Sequence, residues 1–285
     1  MRNSRFSICV LTAVSVCALL ACPPVVSSQA QPATDPARFT LQEKEEFLQN
    51  GKIVSERTLS VGVTRSLRVT LEYKGMTHDA HVQTIDEEIS SARPDRRLES
   101  ASRDYYGFNI AAYELDKLLE LNMTPASVAR EINAKPAAVT WWVDDVAMMS
   151  LERVRKNIQP PNMENWNKQM YIVRIVNQLI SDSDPNMGNL LITKDWKIWT
   201  VDRSRAFRPN KDLENPKNLT RCERSLLARL RELNRNLLQQ NLKDHLTEVE
   251  IEGLDARRRL IVNFFDEEIA RKGEANVLYD LSSGN

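Results

Sequence analysis

The stretch from Ser181 to Phe207, SDSDPNMGNLLITKDWKIWTVDRSRAF, constrains this chain more than any other. Asn189 to Thr193 is apolar and β-branched, Lys194-Asp195 is a polar break, and Trp196 to Val201 alternates with a period of two. Two such runs around a polar break read as a β-hairpin. If the chain reverses at Lys194-Asp195, Asn189 and Asp202 lie almost equally far from the turn. Cross-strand partners are about 5 Å apart, so an amide and a carboxylate come side by side, with Asp184 one tight loop upstream. Three oxygen-bearing side chains on one point suit a hard cation such as Mg²⁺ or Mn²⁺ held together with substrate phosphates. The same residues also serve an Asp/Asn-rich turn before an ordinary hairpin, because Asp, Asn, Pro and Gly favour turns through local hydrogen bonds.

The upstream chain decides between these readings. After Pro160-Pro161 a helix is expected over 162–180, with Met163, Trp166, Met170, Val173, Val176 and Leu179 on its buried side. It delivers the chain into Asp182 and Asp184. Earlier, Lys52–Ser55 with Arg57–Val61, Leu67–Tyr73 and His78–Ile85 read as three antiparallel strands, with Gly62 in the first loop and Lys74-Gly75 in the second turn. Ile110, Tyr113, Leu115, Leu118 and Leu119 form a helical stripe. Ser127–Ile132 and Ala137–Val143 lead to Thr140-Trp-Trp-Val143, whose adjacent tryptophans point to opposite faces of a strand. After Phe207 the chain reads as helical, over 220–238, 243–250 with a Thr247-x-x-Glu250 capping box, and 253–272, with Arg257-Arg258-Arg259 on a solvated face.

Asp184-x-x-x-x-Asn189, a short hairpin and then Asp202 resembles the catalytic loop and metal-binding segment of the protein-kinase-like superfamily. The similarity is to its atypical branch: phosphatidylinositol 3/4-kinases, HipA-type toxin kinases and the secreted Golgi casein-kinase family. The resemblance implies that Asp184 receives the proton of an acceptor hydroxyl. It implies that Asn189 and Asp202 hold Mg²⁺ or Mn²⁺ on the phosphates of ATP or another nucleotide. It implies further that the three strands and the helix after them form a small lobe, with Gly62 in the loop over the phosphates. Asp202 is followed by Arg203-Ser204 instead of Phe-Gly, and Asp184 by Pro185 where many atypical members carry Arg.

The small lobe departs from the family pattern. The third strand normally presents Lys in an A-x-[VI]-K pattern, and Ala80-His81-Val82-Gln83 places Gln83 there. The Glu that pairs with that Lys precedes an apolar A-A-[FY] stretch, and Asn109-Ile-Ala-Ala-Tyr113 places Asn109 there. Two neutral amides thus stand in for an ion pair. They leave no buried charge unpaired, and they remove a cation that would orient phosphates. Arg65, Lys74 and Arg103 are the candidate replacements.

Arg2, Arg5 and the apolar run Phe6–Leu20 make a signal segment, too short for a comfortable membrane span. Leu19-Leu20-Ala21-Cys22 resembles a lipobox, and Ser28-Gln29-Ala30 an ordinary cleavage site. The expected location is periplasmic or membrane-anchored through a lipid on Cys22, with secretion as second choice. Of 4 cysteines, only Cys222 lies beyond this region, so no internal disulfide is available. The 3 histidines argue against a His-rich zinc site or a hydrolase triad. Zero formal net charge over 285 residues carries no nucleic-acid footprint.

The expected fold is α+β and two-lobed: signal peptide 1–21, flexible leader 22–38, small lobe 39–139, inter-lobe hinge 140–143 and a mainly helical large lobe 144–285. The expected function is Mg-nucleotide-dependent phosphoryl transfer to an unidentified hydroxyl acceptor. The alternative is a catalytically silent kinase-fold binding module, a pseudokinase. Use of a different activated donor is a third possibility.

Overall fold

The computed structural model describes residues 39–59, 66–89, 102–182 and 185–281. Gly62, Arg65, Asp184 and the N-terminal leader lie outside the described residues. The first element among the described residues is a helix that apolar spacing does not reveal, α1 (Leu41–Asn50). Its local signal is Thr40-x-x-Glu43. Thr40 Oγ1 accepts from Glu43 N at 3.2 Å and the Glu43 carboxylate accepts from Thr40 N at 2.7 Å, which satisfies two otherwise orphaned donors.

Then follow β1 (Lys52–Thr58), β2 (Leu67–Tyr73), β3 (Met76–Gln83), the short hairpin β4 (Asp86–Ile89) and β5 (Ser102–Tyr105), α2 (Gly107–Leu119), β6 (Ser127–Ile132) and β7 (Lys135–Trp141). Five of these strands form one antiparallel sheet in the order β1-β2-β3-β7-β6. The expected three strands are its first half. β7 inserts beside β3, so the sheet closes only through a pairing distant in sequence. Side chains alternate across it. Val69, Leu71, Ala80, Val82 and Val139 are fully buried against Phe47 and Leu48 of α1 and Tyr113 of α2. Each such side chain contributes about 1.5–3 kcal/mol. The opposite face carries Arg68, Thr70, Asp79, His81, Gln83 and Thr140, and it looks toward the helical part of the molecule.

That part is built from β8 (Val146–Met149), α3 (Ser150–Arg155), α4 (Met163–Ile180), β9 (Leu190–Thr193), β10 (Ile198–Thr200), α5 (Arg224–Glu232), α6 (Arg235–Leu242) and α7 (Glu248–Lys272). The helix expected over 220–238 is two helices, because Asn234 caps a new start by accepting from Leu237 N at 3.1 Å. The helices expected over 243–250 and 253–272 are one of 25 residues. The Thr247–Glu250 capping box is present, but it starts that helix instead of closing a short one. Gly253 continues the helix interior because Pro209 O approaches to 2.7 Å of where a Cβ would be.

The solvated face expected at Arg257–Arg259 holds only for Arg259. Arg257 is fully buried, and its guanidinium donates to Leu179 O and Arg208 O, both at 2.8 Å, and to Asn210 O. Arg258 donates to Asp255 Oδ1 and Leu230 O. Carbonyls left over at the end of α4 and in the 208–210 segment collect these donors, an arrangement that charge spacing along one helix does not reveal.

The end of α2 ties the sheet to β10. Asp116 accepts from Met123 N at 3.0 Å and Thr124 N at 2.9 Å, and Met123 O accepts from Thr200 N at 2.7 Å. Burial pushes the Asp116 carboxyl up to about 6 despite these bonds, which favour its charged form. The folded state therefore holds this proton more tightly than the unfolded chain, so the contribution to stability is full below about pH 4 and is lost as pH rises through about 6. Asp116→Asn keeps an acceptor and no charge. Its unfolding free energy should gain roughly 2 kcal/mol relative to wild type between pH 4 and pH 7.5. Urea unfolding at the two pH values measures this, and a pH-independent difference refutes it.

Candidate active site

The hairpin is present with a different centre. Its loop is Lys194-Asp195-Trp196, with Trp196 at φ 65°, and Ile198 pairs with Ile192. The axis thus passes through Asp195, and Asn189 faces Val201, whose N–H donates to Asn189 O at 2.9 Å. Asp202 is one residue beyond. A left-handed backbone at Asp202, φ 55°, turns the chain back, and Asn189 Nδ2 then reaches Asp202 O at 3.4 Å. Asn189 and Asp202 are neighbours through this bend, not through direct cross-strand pairing, and the contact runs from the Asn189 amide to the Asp202 backbone carbonyl. Asp and Asn are among the few residues that adopt this conformation readily.

Asn189 is set by a turn whose key residue pattern reading overlooked. Asn186 Oδ1 accepts from Gly188 N at 2.7 Å and Asn189 N at 3.2 Å. A Cβ on Gly188 would lie 2.8 Å from that oxygen, so the cap requires glycine there. The Asn-x-Gly-Asn spacing is a signal that could have found it.

Gln83 and Asn109 are joined. Gln83 Oε1 accepts from Asn109 Nδ2 at 2.5 Å, and Asn109 Oδ1 accepts from Arg203 N at 2.8 Å. Gln83 Nε2 donates to Asp202 Oδ1 at 3.3 Å, as does Ser204 Oγ at 3.3 Å. All four amide atoms of this buried pair have partners of the right kind, and only this orientation of the two side chains achieves that. A neutral relay therefore runs from α2 through β3 onto the carboxylate of Asp202, which is itself exposed. Of the cations considered as replacements, Lys74 is engaged with Glu46 and Arg103 with Asp86. His81, two residues before Gln83 on the same face, is half-buried. Burial lowers its pKa, and the Asp202 charge opposes that shift.

Arg203, whose role adjacent residues did not suggest, makes a buried ion pair with Asp182, their side chains 3% and 1% exposed. The same guanidinium nitrogen donates to Asn177 Oδ1 at 2.9 Å. α4 ends at Ser181 in the left-handed region, φ 46°, and this turns Asp182 inward. This pair ties the chain leaving α4 to the bend at Asp202. Ser204 O accepts from Tyr105 N at 2.8 Å, and Arg205 Nε donates to Asp104 at 2.7 Å. Cys222 is buried, and burial raises its thiol pKa strongly, which fits a packing role.

Among the described residues no group of three or more His, Cys, Asp or Glu side chains gathers. Of the residues expected to hold a metal, the described ones, Asp202 and Asn189, offer one carboxylate and one amide. These are oxygen donors of the kind Mg²⁺ and Mn²⁺ take from proteins when phosphates supply the remainder.

No family model and no curated protein matches the sequence. Solved structures do match in fold. A hydra Fam20 structure with sugar aligns over 84% of this chain and 92% of its own, with TM-score 0.62 and 15% identity. The Golgi casein kinase with Mn/ADP bound aligns over 86% of this chain and 80% of its own, with TM-score 0.58 and 12% identity. A further Golgi casein kinase structure gives TM-score 0.57 and 13% identity, with the same coverage of both chains. The chain has the atypical protein-kinase-like fold, an antiparallel sheet lobe joined to a mainly helical lobe.

Proposed function

We propose that this protein is a phosphotransferase that moves a phosphoryl group from a metal-bound nucleotide to a hydroxyl acceptor. The observation that carries this reading is the Asp202 carboxylate. It is exposed two residues past the end of β10 in a left-handed bend, and the Asn189 amide reaches the backbone carbonyl of the same residue. An exposed carboxylate that makes no ion pair with a Lys or Arg among the described residues suits a divalent ion carrying phosphates, and the Golgi casein kinase, similar in fold, is seen with Mn/ADP bound. Such an ion neutralises phosphate charge during transfer.

In this reading Asn189 and Asp202 are the metal ligands. Asp184 accepts the proton as the acceptor oxygen bonds to the terminal phosphorus and the bond to the leaving diphosphate breaks. Gln83 and Asn109 hold Asp202 in place, and Gly62 belongs to the loop over the phosphates.

One observation favours a second reading, a catalytically silent binding module. Where the resemblance places a cation, a neutral amide faces Asp202. A thermal-shift series on the mature protein separates the two, with ADP and ATP, each with Mg²⁺, with Mn²⁺ and with neither. Metal-dependent nucleotide stabilisation supports the enzyme. Its absence at millimolar nucleotide supports the silent module.

We further propose export, on the strength of the Arg2–Leu20 segment. Mass spectrometry of the protein from a bacterial host should find a lipid-modified N-terminus at Cys22, or an unmodified one near Gln31. Recovery of intact Met1 from the cytosol refutes it.

A further inference from the structure

The sheet face that presents Gln83 to Asp202 continues along β3 as His81 and Asp79. Arg68 pairs with His81 across β2, Thr70 with Asp79, and Thr140 with His81 across β7. In the proposed site this face of the sheet would roof a cleft beside Asp202, and that roof is polar along its length. At its far end Asp79 O accepts from Trp142 N at 3.1 Å, in the connection that leaves β7. The Arg68 guanidinium lies over the Trp142 ring, 4.0 Å from its centroid. Arg68 Nε donates to Asp79 Oδ2 at 2.6 Å, and Thr70 Oγ1 donates to Asp79 Oδ1 at 2.7 Å. The guanidinium is thus held by Asp79 while it lies over the indole ring.

Four residues of strand separate Gln83 from Asp79, about 13 Å. A nucleotide with its terminal phosphates at Asp202 and its length along β3 brings its base to Arg68 and Trp142. Proteins take a base by stacking it on an aromatic face in a largely apolar slot. Here the aromatic face already carries a guanidinium, and its neighbours are Asp79, Thr70 and His81.

Resting on the cleft reading above, we propose that Arg68 selects the donor: it occupies the face of Trp142 on which a base would stack, so the cleft binds a polyphosphate by its phosphates and draws no added affinity from a purine. Asp79 and Thr70 hold the guanidinium in that position. The proposal has a sign that simple electrostatics does not share. Removing a cation weakens the hold on a polyanion, whereas uncovering Trp142 strengthens binding of a purine nucleotide.

The test is calorimetric titration with Mn²⁺–tripolyphosphate and with Mn²⁺–ATP. The proteins are wild type, Arg68→Val, Arg68→Val with Asp79→Asn, and Asp202→Asn. Valine suits a half-buried strand position, and the double variant removes the ion pair as a unit, so no stray charge remains if the single variant is unstable. Wild type should bind the two ligands within about threefold of each other. Both Arg68 variants should bind ATP at least tenfold tighter than wild type, with tripolyphosphate unchanged or weaker.

Wild type already preferring ATP tenfold over tripolyphosphate overturns the proposal, and so do variants that gain nothing for ATP. Tripolyphosphate binding that is lost in Asp202→Asn, with ATP indifferent to Arg68, sinks only this proposal and leaves the cleft reading intact. No polyphosphate binding in any of the four proteins sinks both.

Discussion

Asp202→Asn is expected to remove the stabilisation that a Mn²⁺–nucleotide complex would confer under the proposed function, while leaving the stability of the unliganded protein nearly unchanged. Asparagine tolerates the left-handed backbone at φ 55°. Its side-chain oxygen can still accept from Gln83 Nε2, the bond that now runs to Asp202 Oδ1 at 3.3 Å. What it loses is the charge. A ligand at 100 times its Kd stabilises the folded state by about 2.7 kcal/mol. A hundredfold rise in Kd cuts that to about 0.4 kcal/mol by the same relation. Thermal melts at fixed nucleotide and graded Mn²⁺ measure the difference. An undiminished shift in Asp202→Asn would mean that metal and nucleotide bind elsewhere, and the phosphotransferase reading would go with it.

The largest expected loss of stability is at the clamp beneath the site. Asp182→Ala leaves the Arg203 guanidinium buried without its carboxylate, and Nη2 of that guanidinium already has no hydrogen-bond partner among the described residues. Removing one member of a buried pair costs about 3–5 kcal/mol, a fall in Tm of roughly 6–20 °C for a chain of this size. Replacing both members with apolar residues, Asp182→Leu with Arg203→Met, should recover most of it, because the desolvation cost of both charges disappears together. Urea denaturation of the two single variants and the double variant gives the cycle. A loss below about 1 kcal/mol in Asp182→Ala would show that water reaches Arg203 and that the clamp is weak.

Much of this architecture was legible along the chain. Apolar spacing marked α4, which begins at Met163 after an Asn162 cap and ends at Ile180. It also marked β2 over Leu67–Tyr73 and the body of α2. The Thr247–Glu250 capping box was readable as well, since it is closed by residues three apart. Gln83 and Asn109 were singled out as a pair from motif positions, and they are hydrogen-bonded to each other. In each case the governing forces are local, or the motif spans a fixed number of residues.

Other features were not legible, because their partners are far apart in sequence. Asn189 opposes Val201, and a left-handed residue at Trp196 moves the hairpin axis by half a residue from the expected turn. Arg257 sits in a basic triplet that reads as solvated, yet carbonyls from Leu179 and Arg208 draw it inside. Asp182 and Arg203 carry no sign of each other along the chain, and only the meeting of α4 with the segment after β10 makes them a buried pair.

The sequence by itself determined the elements and the chemistry on offer: the helix that leads to Asp184, the hairpin between Asn189 and Asp202, and two amides in place of an ion pair. Periodicity, capping and motif spacing act within a few turns of chain, so they can be read residue by residue. Only the tertiary structure decided which charges are buried, which face of the sheet meets Asp202, and that Arg68 lies on Trp142. Burial and long-range pairing depend on what the rest of the fold brings alongside, and no short window of sequence contains that information.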